Sequence, residues 1–289
     1  MPTTIPHDLV FGLRTAAEPQ IAPDGRGLLY ALTEVDPSAP DAPPKSSLWT
    51  CRLDGSEATP LTDPGHRDGR ARWSPDGSQV AFTSDRGEAQ GLFVAPAGGG
   101  APVQVASHPL AITWLRWSPD GRSIAYTVPV DPADPTQGPG PVVRVTRRLD
   151  YKEDMRGYLG DRRSHVFVAA ADGSGTRQVT REAFDHLHPQ WSPDGGTLAI
   201  RVLRAVSFRS QLQLLDVASG ETREVGIAHG GTIGLAAWSP SGDRLLLAGE
   251  PERTSQLDFY LLTVEGLQVR QLTDDLEVAP DAGRPNSAG

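Results

Sequence analysis

A five-residue motif that recurs along the chain predicts an all-β fold, a β-propeller of four-stranded antiparallel blades. Trp73-Ser74-Pro75-Asp76-Gly77 returns as Trp117 to Gly121, as Trp191 to Gly195, and as Trp238-Ser239-Pro240-Ser241-Gly242. A worn copy, Ile21-Ala22-Pro23-Asp24-Gly25, precedes them. The tryptophans are spaced by 44, 74 and 47 residues, and a period in the mid-forties is the length of one four-stranded blade.

Each unit repeats one grammar. An extended segment runs into the tryptophan, as in Gly69 to Trp73. Ser-Pro-Asp-Gly then reverses the chain: proline presets φ, aspartate bonds back to nearby backbone, and glycine takes the left-handed conformation. A β-rich second strand follows, at Val80 to Thr83, Ile124 to Thr127, Leu198 to Ile200 and Leu245 to Leu247. Third strands are predicted at Leu92 to Val94, Val166 to Val168, Leu212 to Leu215 and Tyr260 to Leu262. Fourth strands end at Pro60 to Thr62, Gln178 to Thr180 and Gln271 to Thr273.

Four antiparallel strands cannot bury both faces alone, so the units must stack on one another. Trp73, Trp117, Trp191 and Trp238 are therefore read as core anchors between blades. Asp76, Asp120 and Asp194, with Gly77, Gly121, Gly195 and Gly242, are read as turn residues rather than carboxylates for acid–base work. The blades are predicted at 19–63, 69–107, 112–181, 186–226 and 233–275. Residues 1–18 form a lead-in with a short helix around Asp8 to Arg14, and 276–289 a tail or the stub of a sixth blade. The third blade is oversized by an insertion at 129–164, between its second and third strands. This places the insertion on the edge opposite the Ser-Pro-Asp-Gly turns, together with the Pro-rich loop Val35 to Lys45.

Composition narrows the partners. Lysine and arginine number 27 against 36 aspartates and glutamates, a net charge of −9, which argues against a nucleic-acid backbone as partner. Glycine and proline number 31 and 26 of 289 residues, rich in turns but short of low-complexity disorder. The one cysteine, Cys51, allows no intrachain disulfide. Neither a secretory signal nor an 18-residue apolar span is visible, so the expectation is a cytoplasmic protein with no membrane partner.

Two groups of residues have the composition of a site. His186 and His188 are two apart on an extended segment, so they should share one face, but no third ligand lies nearby in sequence. A structural role at the strand entry is therefore expected, with no metal and no cofactor. His66, His108 and His229 sit at comparable places before other tryptophans. The insertion carries the second group: Arg147, Arg148, Tyr151, Lys152, Arg156, Tyr158, Arg162 and Arg163 are candidates to bind a peptide carboxylate or a partner domain.

The repeat, the opening Asp8 to Gly25 and the stretch Arg147-Arg148-Leu149-Asp150-Tyr151-Lys152-Glu153-Asp154-Met155-Arg156-Gly157-Tyr158 together resemble the propeller of prolyl-oligopeptidase-type serine peptidases, in particular the acylaminoacyl-peptidase-like branch. The resemblance leads one to expect glycine at the place of Met155. The resemblance implies a non-catalytic propeller that gates or binds peptide for a hydrolase domain. Five blades would then be part of a seven-bladed design or a ring of their own, with self-association expected if the ring is open. No serine has glycine two residues before and after it, so the nucleophile elbow of that hydrolase domain is not in this sequence. The Trp-Ser-Pro-Asp-Gly units also resemble TolB-like propellers, and the alternative is a free-standing scaffold for protein–protein interaction.

Overall fold

The structure is a computed structural model, and it describes residues 12–36, 38–39, 41–130, 152–153, 157–158, 161–204, 210–227, 232–250 and 257–273. These form five four-stranded antiparallel sheets, the blades of a β-propeller. The first blade holds β1 (Arg14–Ile21), β2 (Gly27–Glu34), β3 (Lys45–Arg52) and β4 (Thr59–Pro60). The second holds β5 (Gly69–Trp73), β6 (Gln79–Ser84), β7 (Gln90–Pro96) and β8 (Val103–His108). In the third, β9 (Thr113–Trp117) and β10 (Ser123–Val130) precede a two-stranded hairpin of β11 (Lys152–Glu153) and β12 (Gly157–Tyr158). Its sheet is completed by β13 (Arg163–Ala170) and β14 (Thr176–Gln178). The fourth blade runs through β15 (Asp185–Trp191), β16 (Thr197–Leu203), β17 (Ser210–Asp216) and β18 (Thr222–Val225). The fifth runs through β19 (Thr232–Trp238), β20 (Arg244–Glu250), β21 (Asp258–Thr263) and β22 (Gln268–Gln271).

The blades group into two compact units, Met1–Ile124 with Val168–Arg177, and Ala125–Phe167 with Gln178–Gly289. In the first unit, Leu29, Leu48, Val80 and Phe82 are fully buried and share one core with Phe93 and Trp73. In the second, Leu212, Leu214, Leu245, Leu247, Tyr260 and Leu262 form the corresponding core. In the second and third blades the second and third strands are covered on both faces, which is why they read as continuous apolar runs rather than alternating ones. Each such Leu or Phe contributes about 1.5–3 kcal/mol by leaving water.

Boundaries differ from the sequence-based expectation in two places. Strand β1 starts at Arg14, where a lead-in and the end of a short helix were expected. Residues 14–17 pair in register with 34–31 of β2, and Arg14 Nε meets Glu34 Oε1 at 2.7 Å. The worn motif thus marks only the end of a longer strand. The insertion is shorter than expected, because Pro129 still belongs to β10 and Arg163 already opens β13. Residues 1–11, most of the insertion and the tail from 274 lie outside the described residues.

Every first strand carries an irregularity that its sequence did not announce. Glu18, Arg70, Trp114 and His188 have φ of 54°, 52°, 56° and 55°. Each stands three residues before the motif's first position, Ile21, Trp73, Trp117 or Trp191. Register shifts between Ala17 and Gln20, Gly69 and Arg72, and Leu187 and Gln190 identify β-bulges. In β19 the shift falls between Ile233 and Leu235, at Gly234. A left-handed residue with a Cβ costs about 1–2 kcal/mol. A bulge bends the strand and re-aims the side chains it carries.

Candidate functional site on the first strands

The motif itself is scaffold. The hydroxyl of Ser74, Ser118 and Ser192 donates to Oδ1 of the aspartate two residues on, at 2.6, 2.5 and 2.5 Å. Each serine oxygen in turn accepts the backbone N–H five residues on, at 2.9 Å. The aspartates accept a further N–H from Ser78, Arg122 and Gly196 at 3.0 Å. Asp76, bonded first by the Ser74 hydroxyl and then by Ser78, is held down at about 2. Gly77, Gly121, Gly195 and Gly242 have φ between 69° and 76°. In the fifth blade Ser241 replaces the aspartate, and Asp243 takes over by accepting from Ser239 at 2.9 Å. These aspartates are spoken for.

The tryptophans do more than fill space. The Trp117 indole N–H donates to the Arg72 carbonyl at 3.0 Å, and Trp238 donates to the Gln190 carbonyl at 3.2 Å. Each bond ties one blade to the residue just before the preceding blade's tryptophan. Trp73 breaks the pattern: its Nε1 is buried with no hydrogen-bond partner. Its neighbour is the worn blade, where Ile21 stands exposed in place of tryptophan.

Beside that defect lies a cleft of about 420 Å³, lined by Gln20, Ile21, Arg72, Trp73, Arg116 and Trp117 among others. Arg72 and Arg116 occupy the same motif position, and each donates Nη1 to the carbonyl just before it, Ala71 at 2.7 Å and Leu115 at 2.9 Å. Burial lowers both guanidinium pKa values first; Arg70 also lowers Arg72, and Arg72 lowers Arg116. Glu18 works the other way at Arg72, while its carboxylate also accepts the Arg70 backbone N–H at 2.5 Å. In a protein of net charge −9, three arginines stand at or beside the left-handed residues Arg70 and Trp114, with Arg70 acting electrostatically on Arg72 and Arg72 on Arg116.

The second unit has its own first-strand cavity. His188, Gln190, Arg201, Leu212, Ile233 and Gly234 line a small space of about 30 Å³, room for about one or two waters. The Arg201 Nε is buried without a partner there.

The histidine pair departs from expectation. The bulge at His188 breaks the two-residue alternation, so His186 and His188 do not share surroundings. His186 is fully buried and its ring stacks on His165 at 5.5 Å. Its Nδ1 lies 3.1 Å from the Phe184 carbonyl, and Nε2 lies 3.2 Å from Glu182 Oε2. The Glu182 contact is close enough for an ion pair, yet Nε2 makes no well-formed hydrogen bond. Burial drives His165 down to about 4, with His186 adding to the shift, and it lowers His186 against the pull of Glu182. Among the described residues, no group of three or more His, Cys, Asp or Glu side chains is placed to hold a metal ion.

Of the insertion candidates, Arg163 opens β13 and lies 3.7 Å from Asp185, which also accepts the Ser164 N–H at 2.7 Å. Arg163 therefore has a structural partner. Lys152 is exposed and pairs with Tyr158 across the β11–β12 hairpin, and Arg162 is partly buried just before β13. Arg147, Arg148, Tyr151 and Arg156 lie outside the described residues, as does the Tyr158 side chain. Sequence reading missed Gln20, Arg70, Arg72 and Arg116. The available signal was a basic residue repeated just before two of the motif tryptophans.

No family model matches the chain. It is 27% identical over 202 residues to the uncharacterized peptidase YuxL of Bacillus subtilis, a match covering 68% of this chain and 30% of that protein. The acylaminoacyl peptidase of Pyrococcus horikoshii superposes with a TM-score of 0.68 at 18% identity, over 93% of this chain and 40% of that one. A putative TolB from Agrobacterium tumefaciens superposes with a TM-score of 0.55 at 18% identity, over 90% of this chain and 80% of that one. The chain thus spans about a third of the length of the curated peptidase it matches. Its fold is the propeller that acylaminoacyl peptidases and TolB-like proteins share.

Proposed function

We propose that this chain is the propeller part of a prolyl-oligopeptidase-type peptidase, and that it admits or holds peptide for a hydrolase domain rather than cleaving it. The observation that carries the reading is the pairing of near-complete coverage of this chain with coverage of only 40% of an acylaminoacyl peptidase. Two features support it. The sequence has no Gly-x-Ser-x-Gly elbow, and the motif aspartates are consumed by turn hydrogen bonds. The first-strand cleft offers arginine, glutamine and indole groups, a set suited to gripping a peptide by its polar ends.

The test uses the purified chain and acylated and free aminoacyl chromogenic substrates, followed by equilibrium dialysis against peptides of increasing length. No turnover with retention of short peptides is expected. Turnover that survives inhibitor controls, or failure to retain any peptide, overturns the reading.

The TolB-like alternative has one observation in its favour: the superposition covers 80% of the putative TolB, twice the share of the peptidase. A scaffold of that kind would retain folded protein partners and ignore short peptides in the same dialysis.

A further inference from the structure

From the first-strand cleft we infer an oxyanion-binding site in the first unit, built by Arg72, Arg116, Gln20 and Trp73, that takes the C-terminal carboxylate of a short peptide. The choice of a peptide rests on the function proposed above; the oxyanion chemistry rests on the cleft alone.

Four observations converge. Arg72 and Arg116 line one cleft of about 420 Å³ and interact as like charges. Each guanidinium is a planar fork of N–H donors, and in each the Nη1 group donates to the carbonyl just before its own residue, which folds the side chain back along its strand. The two heads are thereby held by the same local device, on two strands, facing the same space. Trp73 lines this cleft as well, and its buried indole N–H has no acceptor. An unmet buried donor costs about 1–3 kcal/mol, a cost that a bound acceptor would remove. Finally, the Arg72 backbone is pinned, because its carbonyl accepts the Trp117 indole. A donor-rich pocket with mutually repelling cations on a fixed backbone is complementary to a compact anion, and planar guanidinium forks suit carboxylate.

Glu18 sets the limit of the site. It offsets Arg72 and is engaged by the Arg70 backbone N–H, so the anion belongs on the Arg116 and Trp73 side of the cleft. The backbone explains how this arrangement arises: the left-handed residues Arg70 and Trp114 stand two positions before Arg72 and Arg116.

The experiment is a thermal-shift and calorimetric titration of the full chain with acetyl-trialanine bearing a free carboxylate, its C-terminal amide, and inorganic phosphate. The free acid is expected to bind at least about tenfold more tightly than the amide, and phosphate to compete with it weakly. Double substitution Arg72→Gln with Arg116→Gln should abolish this preference, while the far-UV spectrum and melt confirm folding. Trp73→Phe, which keeps the ring and removes the donor, should weaken the free acid and leave the amide unchanged. Equal binding of acid and amide overturns the carboxylate site while leaving peptide binding intact. Tighter binding of phosphate than of peptide overturns the peptide as its source. A folded double variant that still prefers the free acid overturns the site outright.

Discussion

Within the first strands of the first four blades, the C-terminal end and the left-handed residue three positions before it share one backbone design but vary in opposite ways. At the end, Trp117 and Trp238 make the same inter-blade hydrogen bond, and three serine–aspartate pairs close turns with distances that agree within about 0.1 Å. At the position three residues earlier in the first four blades, φ is equally uniform, yet the residues are Glu18, Arg70, Trp114 and His188; the fifth blade shifts register one residue earlier, at Gly234, without a left-handed φ. Uniform side chains on uniform backbone mark what every blade needs to stand. Diverse side chains on the same strained backbone mark positions free to specialise. The arginine cleft lies between the two classes, with Arg72 and Arg116 two residues after Arg70 and Trp114, and leans on a flaw in the first, the missing tryptophan at Ile21.

The largest expected effect tests the scaffold end. Trp117→Ala should lower unfolding free energy by about 3–5 kcal/mol, because a 9%-exposed indole and its inter-blade bond vanish together. Chemical denaturation measures it; a loss under about 1 kcal/mol would deny the tryptophan its anchoring role.

Next comes pH. His165 and His108 are held at about 4 by burial, and burial likewise lowers His186. Each unfolded histidine titrates near 6.5, so between about 6.5 and 4 the unfolded chain binds protons that the folded chain refuses. Stability should be level above about pH 6.5 and fall as pH drops through this window, at up to about 1.4 kcal/mol per pH unit for each histidine. Urea midpoints across pH 4–8 follow it, and His165→Gln should flatten the slope. A rise in stability on acidification over that range would contradict buried neutral rings.

A smaller effect is expected at the turns. Gly121→Ala meets nothing closer than Pro75 Cδ at 3.8 Å, so its cost is conformational, from a φ of +69°, and should be about 1–2 kcal/mol. The same substitution at Gly175, where φ is not in the left-handed range and nothing lies within 4 Å, should cost far less.

The scaffold was legible because its chemistry is local. Serine, proline, aspartate and glycine set each turn within a few residues of themselves, so five blades and their strand order follow from the motif. The β1 start was missed because Arg14 to Ala17 are exposed and strand there depends on pairing with β2, not on propensity. The bulges were missed because glutamate, arginine, tryptophan and histidine give no left-handed signal; the neighbouring strands impose it. That same backbone twist separates His186 from His188 despite their spacing. The cleft was illegible for a related reason: Gln20, Arg72 and Arg116 are up to 96 residues apart and meet only through blade stacking.

The central claim is that the first strands carry a specialised site on a scaffold that does not need it. The melting temperature of the Arg72→Gln, Arg116→Gln double variant tests this most directly. Relief of like-charge repulsion predicts a Tm equal to or above that of the parent protein, the pattern of a site whose residues serve binding at the expense of stability. At roughly 2–4 °C per kcal/mol for a chain of this size, a fall of about 5 °C or more would show the arginines to be structural and contradict the account.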